Sequence, residues 1–139
     1  MLLLDTHTWI WSVEDDRRRL GRRARRMLSE APFEDRIRIS PASMFEVTSL
    51  YTAGRLRLGL PPVQWIRGAL DVPGVRVAEL TPAIATDAGS IPRTALPDPL
   101  DRLLVATARH LGATFMTSDQ RILEYAASTA DVRVQDAGT

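Results

Sequence analysis

The 139-residue sequence predicts an α/β fold, an α/β sandwich built around a mostly parallel sheet. Three observations predict it. Short apolar runs alternate with helical patterns along the whole chain. The first run, Leu2-Leu3-Leu4, has no polar position, as a strand covered on both faces requires. Three cap-and-proline pairs, Ser40-Pro41, Thr81-Pro82 and Asp98-Pro99, mark helix starts, because a side-chain oxygen satisfies an orphan amide and proline needs none.

Taken in order, Leu2–Leu4 is the first strand and ends at Asp5. Thr6 can cap a helix running through Trp9, Ile10, Trp11 and Val13. Residues 14 to 19 are all charged and read as a loop. Leu20, Ala24, Met27, Leu28 and Ala31 then form one stripe of an amphipathic helix, with Arg22, Arg23, Arg25 and Arg26 off it. Ile37-Arg38-Ile39 is a second strand. The helix after Ser40-Pro41 carries Met44, Phe45, Glu46, Val47, Leu50 and Tyr51 and stops at Gly54. Pro61-Pro62 opens another helix, ending before Pro73-Gly74. Residues 75 to 80 alternate as a strand, and Thr81-Pro82 starts a helix near Ile84 to Ala88. Residues 89 to 97 read as a loop. Leu100, Leu103, Leu104, Thr107, Ala108 and Leu111 line the apolar face of a strong helix that Gly112 ends. Ala113 to Thr117 is a strand, Arg121 to Ala127 a helix, and Val132-Arg133-Val134 a last, edge strand. With no repeat and no long linker, residues 1–139 read as a single domain.

Hydrophobic residues make up 45% and charged residues 25%, a globular composition. The absence of cysteine excludes disulfides and thiolate metal sites and points to a reducing cytoplasm. No apolar stretch reaches the ~18 residues of a transmembrane helix, and the N-terminal run is too short for a signal peptide. All 18 basic residues are arginine, a bias that codon usage in a GC-rich genome explains. The lack of lysine argues against phosphotransfer proteins built on a phosphorylated aspartate, which use one, and against a haloacid-dehalogenase phosphatase, whose second aspartate position is His7 here.

Four acids stand out. Asp5 and Asp119 each follow an apolar strand, so a parallel sheet brings both to its carboxyl edge, where α/β proteins build their sites. Glu46 interrupts an otherwise apolar helix turn, and Asp101 lies one turn into its helix. Each has a plain alternative. Asp5 and Asp119 suit helix caps, Glu46 suits a surface position, and Asp101 suits the third helical position after an Asp98 cap. Asp98 can also pair with Arg102. Taken jointly, gathered like charges require a compensating cation. An all-oxygen donor set selects Mg2+ or Mn2+, and such a site activates water for attack on a phosphodiester. His7 reads as a packing or orienting residue and His110 as a surface one.

The opening Leu-Leu-Asp5-Thr6-His7-Thr8-Trp9-Ile10-Trp11 resembles the start of PIN-domain proteins, specifically VapC-type toxins of bacterial toxin–antitoxin pairs. Ser43-Met44-Phe45-Glu46 resembles their second acidic motif, Asp98-Pro99-Leu100-Asp101-Arg102 with Leu103 to Ala108 their third, and Thr117-Ser118-Asp119 their fourth. Order and spacing match along nearly the whole chain. The resemblance implies a PIN-like α/β/α sandwich and a Mg2+- or Mn2+-dependent endoribonuclease. Asp5, Glu46, Asp101 and Asp119 would be the acidic metal-site residues, with Asp98, Thr117 and Thr6 as accessory polar groups. It also implies a homodimer and a small VapB-like antitoxin whose tail covers the acidic groove. Leu50 stands where relatives often carry a basic residue, and Thr94-Ala95-Leu96-Pro97 where they often carry histidine, so the resemblance carries over the acid quartet but not how the substrate is positioned or which RNA is cut.

An acidic centre cannot itself attract RNA, so a basic rim is needed. The stretch Arg17 to Arg26 holds seven arginines that form either that rim or a solvated helix face. Trp9 and Trp11 read as core rather than as base-stacking platforms. The competing non-enzymatic reading is a PIN-like scaffold that binds RNA or a protein without cutting.

Overall fold

The computed structural model describes residues 1–31 and 36–139. In chain order the elements are β1 (Leu2–Leu4), α1 (Thr6–Val13), α2 (Arg22–Glu30), β2 (Ile37–Ile39), α3 (Pro41–Thr52), α4 (Pro62–Leu70) and β3 (Val75–Val77). They continue as α5 (Pro82–Ser90), α6 (Pro99–Leu111), β4 (Thr114–Thr117), α7 (Gln120–Ala127) and β5 (Arg133–Asp136). The five strands lie in the order β3-β2-β1-β4-β5 and every pairing is parallel. The sheet is therefore wholly rather than mostly parallel.

The apolar run of β1 now has its reason. Leu2 and Leu4 enter one core with Trp9, Leu28, Val47 and Trp65, while Leu3 enters the other with Leu104, Phe115 and Ile122. Successive side chains point to opposite faces, and helices cover both. Leu3 is fully buried, which contributes ~1.5–3 kcal/mol for that side chain alone. Helices α1, α2 and α4 pack on one face, and α6 and α7 on the other. Trp9 is buried edge-on against Trp65, ring centroids 5.1 Å apart, so it serves the core. Trp11 is half-buried beneath the Arg19 guanidinium, 5.7 Å from the ring centroid.

Several boundaries differ from the sequence reading, each for a physical reason. Asp5 rather than Thr6 caps α1: its Oδ1 accepts from the Thr6 amide at 2.8 Å, and Thr6 is the first helical residue. Helix α2 starts at Arg22 because the extended Gly21 donates its amide to the Ala137 carbonyl. A Cβ on Gly21 would lie 2.1 Å from the Thr139 backbone, so only glycine admits this approach. β3 stops at Val77, although the Ala78 amide still bonds Ile39. Residues 79–80 turn away to present Thr81 as the cap of α5. The predicted caps Ser40, Thr81 and Asp98 all accept from helix amides, and Gly112 ends α6 in the left-handed region at φ 61°. Among the described residues no helix is long and apolar enough to cross a membrane.

Candidate metal centre

The strand order reverses between β1 and β4: β2 and β3 extend the sheet on one side of the pair, β5 on the other. In a doubly wound sheet the crevice at the carboxyl ends of these two strands is the expected binding site, because the flanking helices diverge there. Asp5 follows β1 and Asp119 lies just past β4, so the sheet brings both to this crevice.

Thr117 ties the two strand ends together. Its fully buried hydroxyl donates to Asp5 Oδ2 at 2.6 Å and accepts from the Asp119 amide at 3.0 Å. Asp119 Oδ1 accepts from the amides of Arg121 and Ile122 and so caps α7. Asp98 Oδ1 accepts from the Leu100 amide and caps α6, with Asp101 one turn further in. Both the capping role and the placement at the sheet edge hold for Asp5 and Asp119. A carboxylate accepting one or two amides keeps further lone pairs, so a cap is not thereby excluded as a ligand.

Helix α3 is joined to the site by a contact that sequence reasoning missed. The Thr6 hydroxyl donates to Ser43 Oγ at 3.1 Å, and both side chains are fully buried. Ser43 sits one turn before Glu46 and thus fixes the turn that carries the glutamate. The available signal was a small hydroxyl three residues from an acid inside an apolar helix.

The acids feel one another's charge. Burial raises the pKa of Asp5 above the ordinary 3.8; bonds from Thr117 and Thr6 oppose the rise, and the charges of Glu46 and Asp119 add to it. Burial, then the charges of Asp98, Asp5, Asp119 and Glu46, pushes Asp101 up to about 7. All five predicted acids are therefore electrostatic neighbours. Among the described residues, no three acidic or histidine side chains are grouped so as to hold an ion as they stand. Asp5, Asp98 and Asp119 are instead turned onto helix amides, which separates and partly compensates like charges. The donor chemistry fits a hard divalent cation: five carboxylates, no thiolate, and two acids that burial and then neighbouring carboxylates hold above their ordinary pKa.

The histidines stay outside this arrangement. His7 is exposed on α1 with its ring centroid 6.1 Å from that of Trp11. His110 is at the far end of α6, with Nε2 3.3 Å from Asp87 Oδ2.

The PIN domain family model matches residues 2–128. Ribonuclease VapC22 of Mycobacterium tuberculosis (strain ATCC 25618 / H37Rv) is 32% identical over 122 residues, covering 87% of this chain and 88% of that protein. The fold is similar to that in the crystal structure of DNA-bound VapBC from Salmonella typhimurium, with TM-score 0.64 and 20% identity over 97% of this chain and 96% of that one. FitAcB from Neisseria gonorrhoeae is similar with TM-score 0.66 and 23% identity over 99% and 98% of the two chains. The acids at the crevice, the doubly wound sheet and these matches lead to one conclusion: the chain belongs to the PIN domain family, on its VapC branch.

Proposed function

We propose that this protein is a Mg2+- or Mn2+-dependent endoribonuclease and the toxin of a toxin–antitoxin pair. The observation that carries the reading is the electrostatic coupling of Asp5, Glu46, Asp98, Asp101 and Asp119 around the crevice where the strand order reverses. Asp5, Glu46, Asp101 and Asp119 would hold the cation through their carboxylate oxygens. When bound, it polarises water and offsets the charge that develops on the scissile phosphate.

The chain's own residues do the rest. Thr117 orients Asp5 by donating to its Oδ2 and opposes the rise that burial brings to the Asp5 pKa. The α7 amides fix Asp119, and the Thr6–Ser43 bond sets the turn bearing Glu46. Asp98 holds the start of α6 and, through its charge, the proton affinity of Asp101. Water attacks phosphorus in line and the 3′ oxygen leaves, giving 5′-phosphate and 3′-hydroxyl ends. That the related protein is named a ribonuclease supports the substrate class.

The partner is a VapB-like antitoxin. Similarity to VapBC complexes supports this, as does an apolar groove between α3 and α4 of about 960 Å3. Phe45 and Val63 line it at 65% and 68% exposure, which suits the apolar face of an amphipathic segment. The whole chain acts as one PIN domain, as a homodimer in the cytoplasm.

Cleavage of total cellular RNA with Mg2+, Mn2+ or EDTA, comparing wild type with Asp5→Asn, tests the reading. Discrete fragments that need metal and vanish in the variant support it. Antitoxin-free protein that binds RNA but cuts none under either metal is instead the non-cleaving scaffold.

A further inference from the structure

The acidic centre leaves the arginines of the α1–α2 segment unused. Arg17, Arg22, Arg25 and Arg26, with Ser12 and Ser29, line a concavity of about 530 Å3. One acid lines it, Asp15, whose Oδ2 lies 3.6 Å from Arg17 Nε with both side chains well exposed. Arg22, Arg25, Arg26 and Ser29 are spaced i, i+3, i+4, i+7 and share one helix face. Among the described residues no carboxylate pairs with Arg22, Arg23, Arg25 or Arg26. Arg25 Nε is buried and has no hydrogen-bond partner.

The arginine side chains are not paired within the helix. Helix α2 has no acid in its first turn and no side-chain cap, and its Arg23 amide is met by the Thr139 oxygen at 2.9 Å. Arg22 and Arg26 repel at i, i+4, as do Arg22 and Arg25 at i, i+3. The helix persists because Ala24 and Leu28 are buried in the core. Arg109 shows the contrast: Asp87 at 2.8 Å and Asp131 at 3.7 Å tie it into the fold.

The first turn of α2, with Arg22, is the end of the concavity nearest the carboxyl edge of the sheet. The Gly21 amide donates to Ala137, the Ala137 amide donates to Thr117, and the Thr117 hydroxyl donates to Asp5. Helix α2 therefore begins at the carboxyl edge of the sheet, and Met27 lies beside Met1 and Leu2 towards the other edge. Its nine residues span about 13 Å, matching three to four phosphates of a stacked strand at roughly 3.4 Å per charge.

We propose that this arginine-lined concavity binds the phosphate backbone of the RNA strand that enters the acidic crevice. The proposal rests on the ribonuclease reading. The structure favours RNA over a protein partner here because four arginines and a single acid line the concavity, unlike the apolar α3–α4 groove.

The test is binding of a single-stranded RNA oligonucleotide in EDTA, by fluorescence anisotropy over a salt series. Wild type is compared with Arg22→Gln/Arg26→Gln and with Arg22→Lys/Arg26→Lys. The Gln pair is expected to weaken binding at least tenfold and to lower the salt slope by about 1.4, at ~0.7 per lost phosphate contact. The Lys pair retains the slope. With Mg2+, kcat/KM falls in the Gln pair while the single-turnover rate at saturating RNA stays within about twofold. Removing repelling charges leaves the melting temperature at or above that of wild type. If the double variant does not fold, Arg26→Gln alone carries the reading through a slope loss of about 0.7. An unchanged slope in a protein that cleaves RNA overturns the arginine surface and leaves the ribonuclease reading standing. A loss confined to duplex DNA or to the antitoxin overturns the assignment to RNA. A wild type that neither binds nor cleaves RNA overturns both.

Discussion

Thr117 carries more of the site than its size suggests. One buried hydroxyl donates to Asp5 and accepts from the Asp119 amide, so it sets the relation between the ends of β1 and β4. Thr117→Val keeps the shape and removes both bonds, leaving a buried carboxylate oxygen and an amide unpaired. A loss of ~1–3 kcal/mol in denaturant unfolding is expected. The pKa of Asp5, which this bond holds down, rises further. RNA cleavage should fall ~10–100-fold through the misplaced carboxylate, with Thr117→Ser close to wild type. Equal activity in the Val and wild-type proteins would show that Asp5 needs no such support. The Thr-Ser-Asp segment marked Thr117 in the sequence. The Thr6–Ser43 bond was not legible, because it joins residues 37 apart and depends on how α1 packs against α3.

At the scale of elements, the start of α6 separates two roles of one side chain. Asp98 caps the helix through Oδ1 and supplies the largest charge acting on Asp101. Asparagine caps as well as aspartate does, whereas alanine does not. Asp98→Asn should therefore keep stability within ~0.5 kcal/mol and lower the pKa of Asp101, read by carboxyl NMR titration. Asp98→Ala should cost about 1 kcal/mol besides. An unmoved Asp101 titration in both variants would remove Asp98 from the site. The exposed face of α3 predicts a different separation. Phe45→Glu changes stability little, since Phe45 is mostly exposed, but weakens antitoxin binding at least ~10-fold by calorimetry. An unaffected affinity would move the antitoxin off this groove.

For the whole molecule, the sheet was legible because its strands are local patterns: Leu2–Leu4 reads as doubly covered, and the cap-and-proline pairs punctuate the helices. The strand order was not, since the reversal between β1 and β4 depends on how α5 and α6 cross the sheet. That reversal is what turns two strand-end aspartates into neighbours, and the burial and crowding of the acids there have a measurable consequence. An acid whose folded pKa is raised binds more protons folded than unfolded. Asp101 thus contributes stability that is complete below its ordinary 3.8 and is lost as pH rises through about 7; Asp5 shifts in the same direction. In EDTA the melting temperature of wild type should fall between about pH 4 and pH 7 relative to Asp101→Asn, which lacks that titration. A divalent cation binds the ionised carboxylates, so Mg2+ should restore stability more at pH 8 than at pH 5. The gain approaches about 2.7 kcal/mol when Mg2+ stands at 100 times its dissociation constant. Asp101→Asn should lose both the pH slope and most of the Mg2+ gain. A Mg2+ gain equal in the variant and wild type would place the cation away from Asp101, and a shared pH slope would show that the crowded carboxylates do not set it.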